Sequence, residues 1–312
     1  MGEIFNATAI VGAVEQGLIY SMLALGLFLS FRILGLADLT VDGSFAFGGA
    51  VSAVMALNGH PYLGIVLCFV AGCAAGFVTG FLQTKLKLQP IISGILVMTS
   101  LYTINLWVMS KRTPVQLIGK NTVFTPLVDV LGKTNAGIII GAAFALFALL
   151  FIILMLKTPF GMAIRATGDN ESMVRSSSIN VDFVKTVGLM LSNGLVALSG
   201  GLLAQNQGSA DVSMGSGMVV IGMASLIIGE VVFFGRKNVT INALVAVLGS
   251  ILYRIIITLV LYWNIDASDL KLISSVIVFL AISVPVFGQM YTEYQQKNAA
   301  KKSSLNDGEV HN

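Results

Sequence analysis

Charge is what this sequence has least of. Of 312 residues, 11% are Asp, Glu, Lys or Arg, where about 25% is usual for a soluble chain. Histidine, cysteine and tryptophan occur twice each. So few charges cannot cover in water a chain that is 56% hydrophobic, with a mean hydropathy of +0.89. This excludes a cytosolic enzyme and a secreted disulfide-stapled domain. The net charge of +3 is too small for a nucleic-acid binder, which needs many cations to displace counterions. Cys68 and Cys73 lie in one apolar run, five apart on a helix and so on different faces. They read as small buried residues without a redox role. His60 and His311 are far apart and the carboxylates are scattered, so neither a metal site nor a nucleophile–base pair is indicated.

What the sequence has in abundance is long apolar runs. About 20 apolar residues cross a bilayer as a helix. Nine runs qualify, at roughly 9–31, 43–58, 61–83, 91–109, 136–156, 183–204, 217–235, 239–262 and 271–288. They predict an all-α polytopic membrane protein with one transmembrane domain over 1–288. The second run is short and carries Gly43, Gly48 and Gly49, so it is not expected to cross as a simple rod. A polar cytoplasmic tail, 289–312, follows. The opening Met1–Thr8 holds Glu3 and no Lys or Arg, unlike the basic start of a signal sequence.

Basic residues gather on the cytoplasmic side of membrane proteins. With the N-terminus outside, twelve of the 18 Lys and Arg residues fall inside, among them Arg32, Lys157, Arg165, Arg175, Lys185, Arg236 and Lys237. Five fall outside, four of them in the long loop 110–135, and Arg254 stays within a span. Nine spans, N-out and C-in, is the reading. Ten would need a helix hidden in 110–135, which is too polar.

Two loops look alike. After the first span the chain reads Ala37-Asp38-Leu39-Thr40-Val41-Asp42-Gly43-Ser44, and after the sixth Ala210-Asp211-Val212-Ser213-Met214-Gly215-Ser216-Gly217. Each is Ala-Asp-apolar-hydroxyl-apolar before a Gly/Ser-rich helix start. By the charge count the loops lie on opposite sides, so 9–109 and 183–288 form candidate inverted halves with broken helices. Inverted repeats of that kind place a solute path at their junction; chance similarity of two glycine-rich helix starts is the alternative. Asp and Thr or Ser at a helix start cap free N–H groups. Asp38, Thr40, Asp42, Gly43, Ser44, Asp211, Ser213 and Gly215 are therefore candidates either for capping or for lining a pathway. Glu15, Glu230 and Arg254 also fall in apolar segments. A charge at the bilayer centre costs about 2.5–3.5 kcal/mol or more, so it seeks a partner or a wet cavity. Arg254 is expected to meet Glu15 or Glu230, as a structural staple or as a pathway residue.

The loop 157–182 is polar, mixed in charge and too short for a domain. It suits one or two short helices lying at the membrane face. Its Gly161-x-Ala163-x-Arg165-Ala166-x-Gly168-x-Asn170 resembles the cytoplasmic coupling loop of the branched-chain amino acid permease superfamily of ABC importers. Gly17-Leu18-Ile19-Tyr20-Ser21-Met22-Leu23-Ala24-Leu25-Gly26 resembles that family's first span. Ala37-Asp38-Leu39-Thr40-Val41-Asp42-Gly43 looks like the subgroup assigned to tryptophan/tyrosine-type uptake. The similarity runs over most of 10–288. One departure is Ser178, where the family usually has Gly.

The resemblance implies a permease subunit in a bacterial plasma membrane, importing a small solute, an amino acid of aromatic or branched-chain type. Gly161, Arg165, Ala166, Gly168 and Asn170 would couple it to a separate ATP-binding subunit that carries ATP and Mg, with Arg236-Lys237 beside them. Further implied partners are an external substrate-binding lipoprotein and a second copy of the chain. The outer loops 110–135, 205–216 and 263–270 would receive the lipoprotein. No cofactor is expected in this chain itself. A phosphate loop needs Gly, four residues, then Gly-Lys-Ser/Thr; the nearest stretch, Gly132-Lys133-Thr134, has Leu127 in place of the first Gly. The alternative is an ion-coupled transporter or channel, with Glu15, Asp38 or Glu230 as its proton or cation site.

Overall fold

A computed structural model describes residues 7–233, 238–261, 272–277, 279–280 and 283. Helix α1, Ala7–Leu27, runs on as a π-helical turn over Phe28–Ile33. Then come α2 (Thr40–Leu57), α3 (Pro61–Thr84) and α4 (Pro90–Val108). The short α5 (Thr125–Leu131) precedes α6 (Lys133–Lys157). Helices α7 (Pro159–Asp169) and α8 (Glu171–Ser176) lead into α9 (Val181–Gln207). Last are α10 (Met218–Val232) and α11 (Val239–Leu261). Two short strands, β1 (Val115–Gln116) and β2 (Ser209–Ala210), pair antiparallel with Val115 opposite Ala210.

Local chemistry sets these boundaries. Pro61, Pro90 and Pro159 stand in first turns, where a missing N–H costs nothing. Thr158, Asn170 and Asn180 cap α7, α8 and α9 through their side-chain oxygens. Gly208, at φ +73°, ends α9 in the left-handed conformation that favours glycine.

Among the described residues, eight helical segments are long and apolar enough to cross a membrane. This is the polytopic all-α architecture that the apolar runs predict. Two details differ from expectation. The second span is one unbroken helix of 18 residues. Its glycines serve close approach rather than a break: a Cβ on Gly48 would strike the Ala197 carbonyl of α9. The stretch 110–135 does contain a helix, α5, but seven residues reach only about 10 Å. The ninth run, the tail 289–312, the loop 263–270 and Arg236-Lys237 lie wholly or mostly outside the described residues.

Helix α9 is the hub. It packs against α3 and α2, while α1 packs against α11 and α6. In lipid, apolar side chains gain little by leaving one apolar medium for another, so helices associate through close backbone contact. Gly72, Gly76 and Gly80 supply it. Four residues apart on α3, they face the main chain of Asn193, Leu189 and Thr186 on α9. Cys68 and Cys73 are free thiols on opposite flanks of this seam, against Gly201 and Gly194. Spacing put them on different faces, about 140° apart; the α3–α9 interface is broad enough to take both.

Candidate functional site

Helix α9 has 27 residues, whereas α2 has 18 and α10 only 15. At 1.5 Å per residue these are about 40, 27 and 22 Å. The two short helices therefore begin within the depth that α9 traverses. They are reached by segments outside the α-helices, 34–39 and 208–217, the second holding a four-residue 3-10 turn over Val212–Gly215, that come in from opposite ends. Irregular backbone at membrane depth survives only where protein or water surrounds it.

The segments meet. Gly215 abuts the Asp42 carbonyl, with no room for a Cβ. The Asp42 carboxylate accepts the Gly217 N–H at 3.0 Å and the Val219 N–H at 2.8 Å. Asp42 thus caps α10 from α2, and its negative charge meets the positive end of the α10 dipole. The two similar loops also share one turn. Asp38 accepts the Thr40 N–H at 2.9 Å, and Asp211 accepts the Ser213 N–H at 2.6 Å.

Beyond that turn their surroundings diverge. Asp38, Thr40 and Ser44 are fully buried. Asp38 accepts from Asn193 Nδ2 at 2.6 Å, Ser44 donates to Asn193 Oδ1 at 2.7 Å, and the Thr40 and Thr79 hydroxyls share a bond of 2.7 Å. This network joins the start of α2 to α3 and α9. Asp211 lies at the edge of the fold and also accepts from Thr113 of the 110–135 loop at 3.1 Å.

Beside Asp42 a cleft of about 480 Å³ opens between α2, α4 and 212–216. Of the predicted residues, Asp42, Gly43, Ser213 and Gly215 line it, joined by Met98, Thr99, Tyr102 and Asn105 of α4. Asp38, Thr40, Ser44, Asp211 and Arg254 do not. The α4 residues escaped the sequence reading. Their signal was a Thr99-x-x-Tyr102-x-x-Asn105 row of polar groups, three apart, inside an apolar run.

Arg254 does not pair with Glu15 or Glu230. Glu230 meets Arg32 at 2.8 Å, at the end of the fold near α7. Glu15 accepts from Asn206 at 2.7 Å, at the opposite end. Arg254, on α11, makes an ion pair with neither and stacks over the Tyr20 ring 3.9 Å from its centroid. Tyr20 in turn stacks on Phe45. This cation–π contact ties α11 to α1 and α2.

The loop 157–182 folds as two short helices, within the expected one or two. Gly161 abuts the main chain of Met155 and Leu156, and Gly168 the Ile33 carbonyl; a Cβ fits at neither. Arg165 donates to the Leu156 carbonyl at 3.2 Å. Ala166 lies on α7, and its carbonyl accepts the Asn170 N–H at 2.9 Å; Asn170 Oδ1 then caps α8, accepting from Met173 N at 3.1 Å. Arg175 bridges Glu171 at 2.8 Å and Asp182 at 3.0 Å, and Lys185 holds Glu171 at 2.5 Å. Hydrogen bonds from Lys185 and then Arg175 hold the Glu171 carboxyl below its ordinary value. Ser178 takes φ +60°, so the backbone shape that a glycine would give is kept. Met162, Met173 and Phe183 stay exposed on this surface.

Comparison with known proteins places this arrangement. The family model described as branched-chain amino acid transport system / permease component matches residues 9–283. The chain belongs to that family. It is a permease of the ABC importer type and a multi-pass protein of the bacterial plasma membrane. The tyrosine transport system permease protein of Clostridioides difficile is 34% identical over 96% of this chain and 98% of its own length. Ribose import permease protein RbsC of Haemophilus influenzae is 28% identical over 63% of this chain and 60% of its own. The probable branched-chain amino acid transport permease protein LivH of Methanocaldococcus jannaschii is 27% identical over 59% and 63%. These permeases are named for solutes as different as an amino acid and a sugar.

Proposed function

We propose that this permease is the membrane gate of an ATP-driven importer for an amino acid, of aromatic type. The similarity to the tyrosine permease over nearly the full length of both chains carries this reading. The N-terminus is outside, and the end that gathers Arg32, Lys157, α7 and α8 faces the cytoplasm, as the excess of basic residues there favours. A separate ATP-binding subunit holds ATP and Mg and docks on α7–α8. Two copies of the chain form the gate, and an external substrate-binding lipoprotein delivers solute at the end formed by β1, β2 and α5.

The contacts of α7 support a rigid transmission. Gly161 locks it to the end of α6 and Gly168 to the π-helical turn at the end of α1. A push on α7 therefore reaches segment 34–39, and through it α2 and the cleft. The halves 9–109 and 183–288 work as inverted repeats: the first helix of each packs on the third of the other, α1 on α11 and α9 on α3.

The test is uptake of labelled tyrosine by proteoliposomes holding the chain, its ATPase and its lipoprotein. Uptake should require ATP and survive an uncoupler. Uptake without ATP that the uncoupler abolishes would favour the ion-coupled reading, with the buried Asp38 as its site.

A further inference from the structure

We infer that the α4 side of the cleft is a solute subsite, in which Asn105 Oδ1 and Asp42 receive a primary ammonium group while Tyr102 and Met98 hold an apolar or aromatic body. The inference rests on the transport reading above and adds the solute chemistry and the residues that read it.

Asn105 carries the argument. It is 1% exposed, lines the cleft, and its Oδ1 has no hydrogen-bond partner among the described residues. A buried amide oxygen left unpaired is costly, so a folded chain keeps one where something else fills it. The missing partner is a donor. The nearby charge says which kind. Among the described residues lining the cleft, Asp42 is the only carboxylic acid, and none is lysine, arginine or histidine. Both Asp42 oxygens already accept main-chain N–H groups, but an N–H bond leaves each oxygen a further lone pair. One carboxylate, one vacant amide acceptor and no cation form a site that favours a cationic donor and disfavours an anion.

Met98, Ala46 and Val212 form an apolar part of the wall, Thr99, Ser213 and Ser216 add hydroxyl-bearing residues, and Tyr102, 56% exposed, completes it. An aromatic ring there can stack on another ring or lie against the ammonium face-on. A volume of about 480 Å³ lies in the range of small-molecule sites. A metal ion, which needs several converging charged or carbonyl oxygens, does not match a lining with one carboxylate.

The experiment uses the whole importer in proteoliposomes, with Thr99→Cys in a Cys68→Ala/Cys73→Ala background. Thr99 lines the cleft and is exposed. A trimethylammonium thiosulfonate should modify it at least tenfold faster than a sulfonate-bearing one, after each rate is divided by that with free cysteine. Tyrosine should protect it, and 3-(4-hydroxyphenyl)propionate, which lacks only the ammonium, should not. Asn105→Leu should abolish protection. Asn105→Asp, equal in size, should deepen the preference for the cationic reagent and guards against a folding defect in the leucine variant. Equal reagent rates, equal protection by both compounds, or protection that survives Asn105→Leu would overturn the subsite. ATP dependence of uptake in the unsubstituted importer is read separately. Its loss strikes the transport reading, whereas loss of the charge preference with uptake intact strikes the subsite alone.

Discussion

At the scale of single residues, the fold depends on where a Cβ is missing or a backbone is strained. Gly76 of α3 faces the Leu189 carbonyl of α9, and a side chain there must push the two helices apart. Overpacking a tight contact costs about 1–3 kcal/mol. Gly76→Leu is therefore expected to lower the melting temperature in detergent and reduce the yield of membrane-inserted protein; an unchanged melting curve would refute the seam. Ser178 is the reverse case. Its φ of +60° costs a non-glycine residue about 1 kcal/mol. Ser178→Gly is expected to stabilise the chain by up to that amount, read as a higher melting temperature with uptake intact. The sequence showed Ser178 as a departure from the family pattern, but not that the departure leaves the backbone shape unchanged. It likewise showed Arg254 as a buried charge in need of a partner. It could not show that the partner is a ring, because Tyr20 lies on another helix and ring stacking has no spacing signature.

At the scale of elements, the apolar runs made eight of the spans legible, since each needs only length and hydrophobicity. What they hid is depth. That α2 and α10 start partway through the layer follows from tertiary packing around Asp42, not from composition. The α4 row Thr99, Tyr102 and Asn105 was hidden for the same reason: polar groups three apart mark a face, and only the neighbours of α4 say that the face lines a cleft. The loop resemblance found α7 and α8 by motif, and the packing gives the motif a physical reason, since at Gly161 and Gly168 α7 abuts main chain too closely for a Cβ. Gly168→Pro and Arg165→Glu should lower ATP-dependent uptake by tenfold or more while insertion in the membrane persists; retention of full uptake by both variants would detach α7 from the drive.

The pH response of α8 also belongs to this scale. The Glu171 carboxyl titrates below its ordinary value because Lys185 and Arg175 bond its charged form. That contribution is complete above the ordinary carboxylate pKa and disappears as pH falls through the lower pKa of the folded state. Protection of the α8 amides, taken relative to their intrinsic exchange rate at each pH, should fall at acid pH, and Glu171→Gln should show the lowered protection already at neutral pH. Because the group is solvent-accessible, high salt should weaken the effect as well. Identical exchange in the two chains at pH 7 would leave the bridges without a role.

At the scale of the whole molecule, the proposed importer is a lipid-embedded gate moved from one face by a separate ATPase. That face is the α7–α8 surface, where Met173 stands 62% exposed beside the Glu171, Arg175 and Lys185 bridges. The most direct measurement is labelling of Met173→Cys, in a Cys68→Ala/Cys73→Ala background, by an impermeant thiol reagent in right-side-out and inverted membrane vesicles. Labelling only in inverted vesicles, and blocked there when the ATPase subunit is bound, is the predicted result. Labelling in right-side-out vesicles, or labelling indifferent to the ATPase, would contradict it.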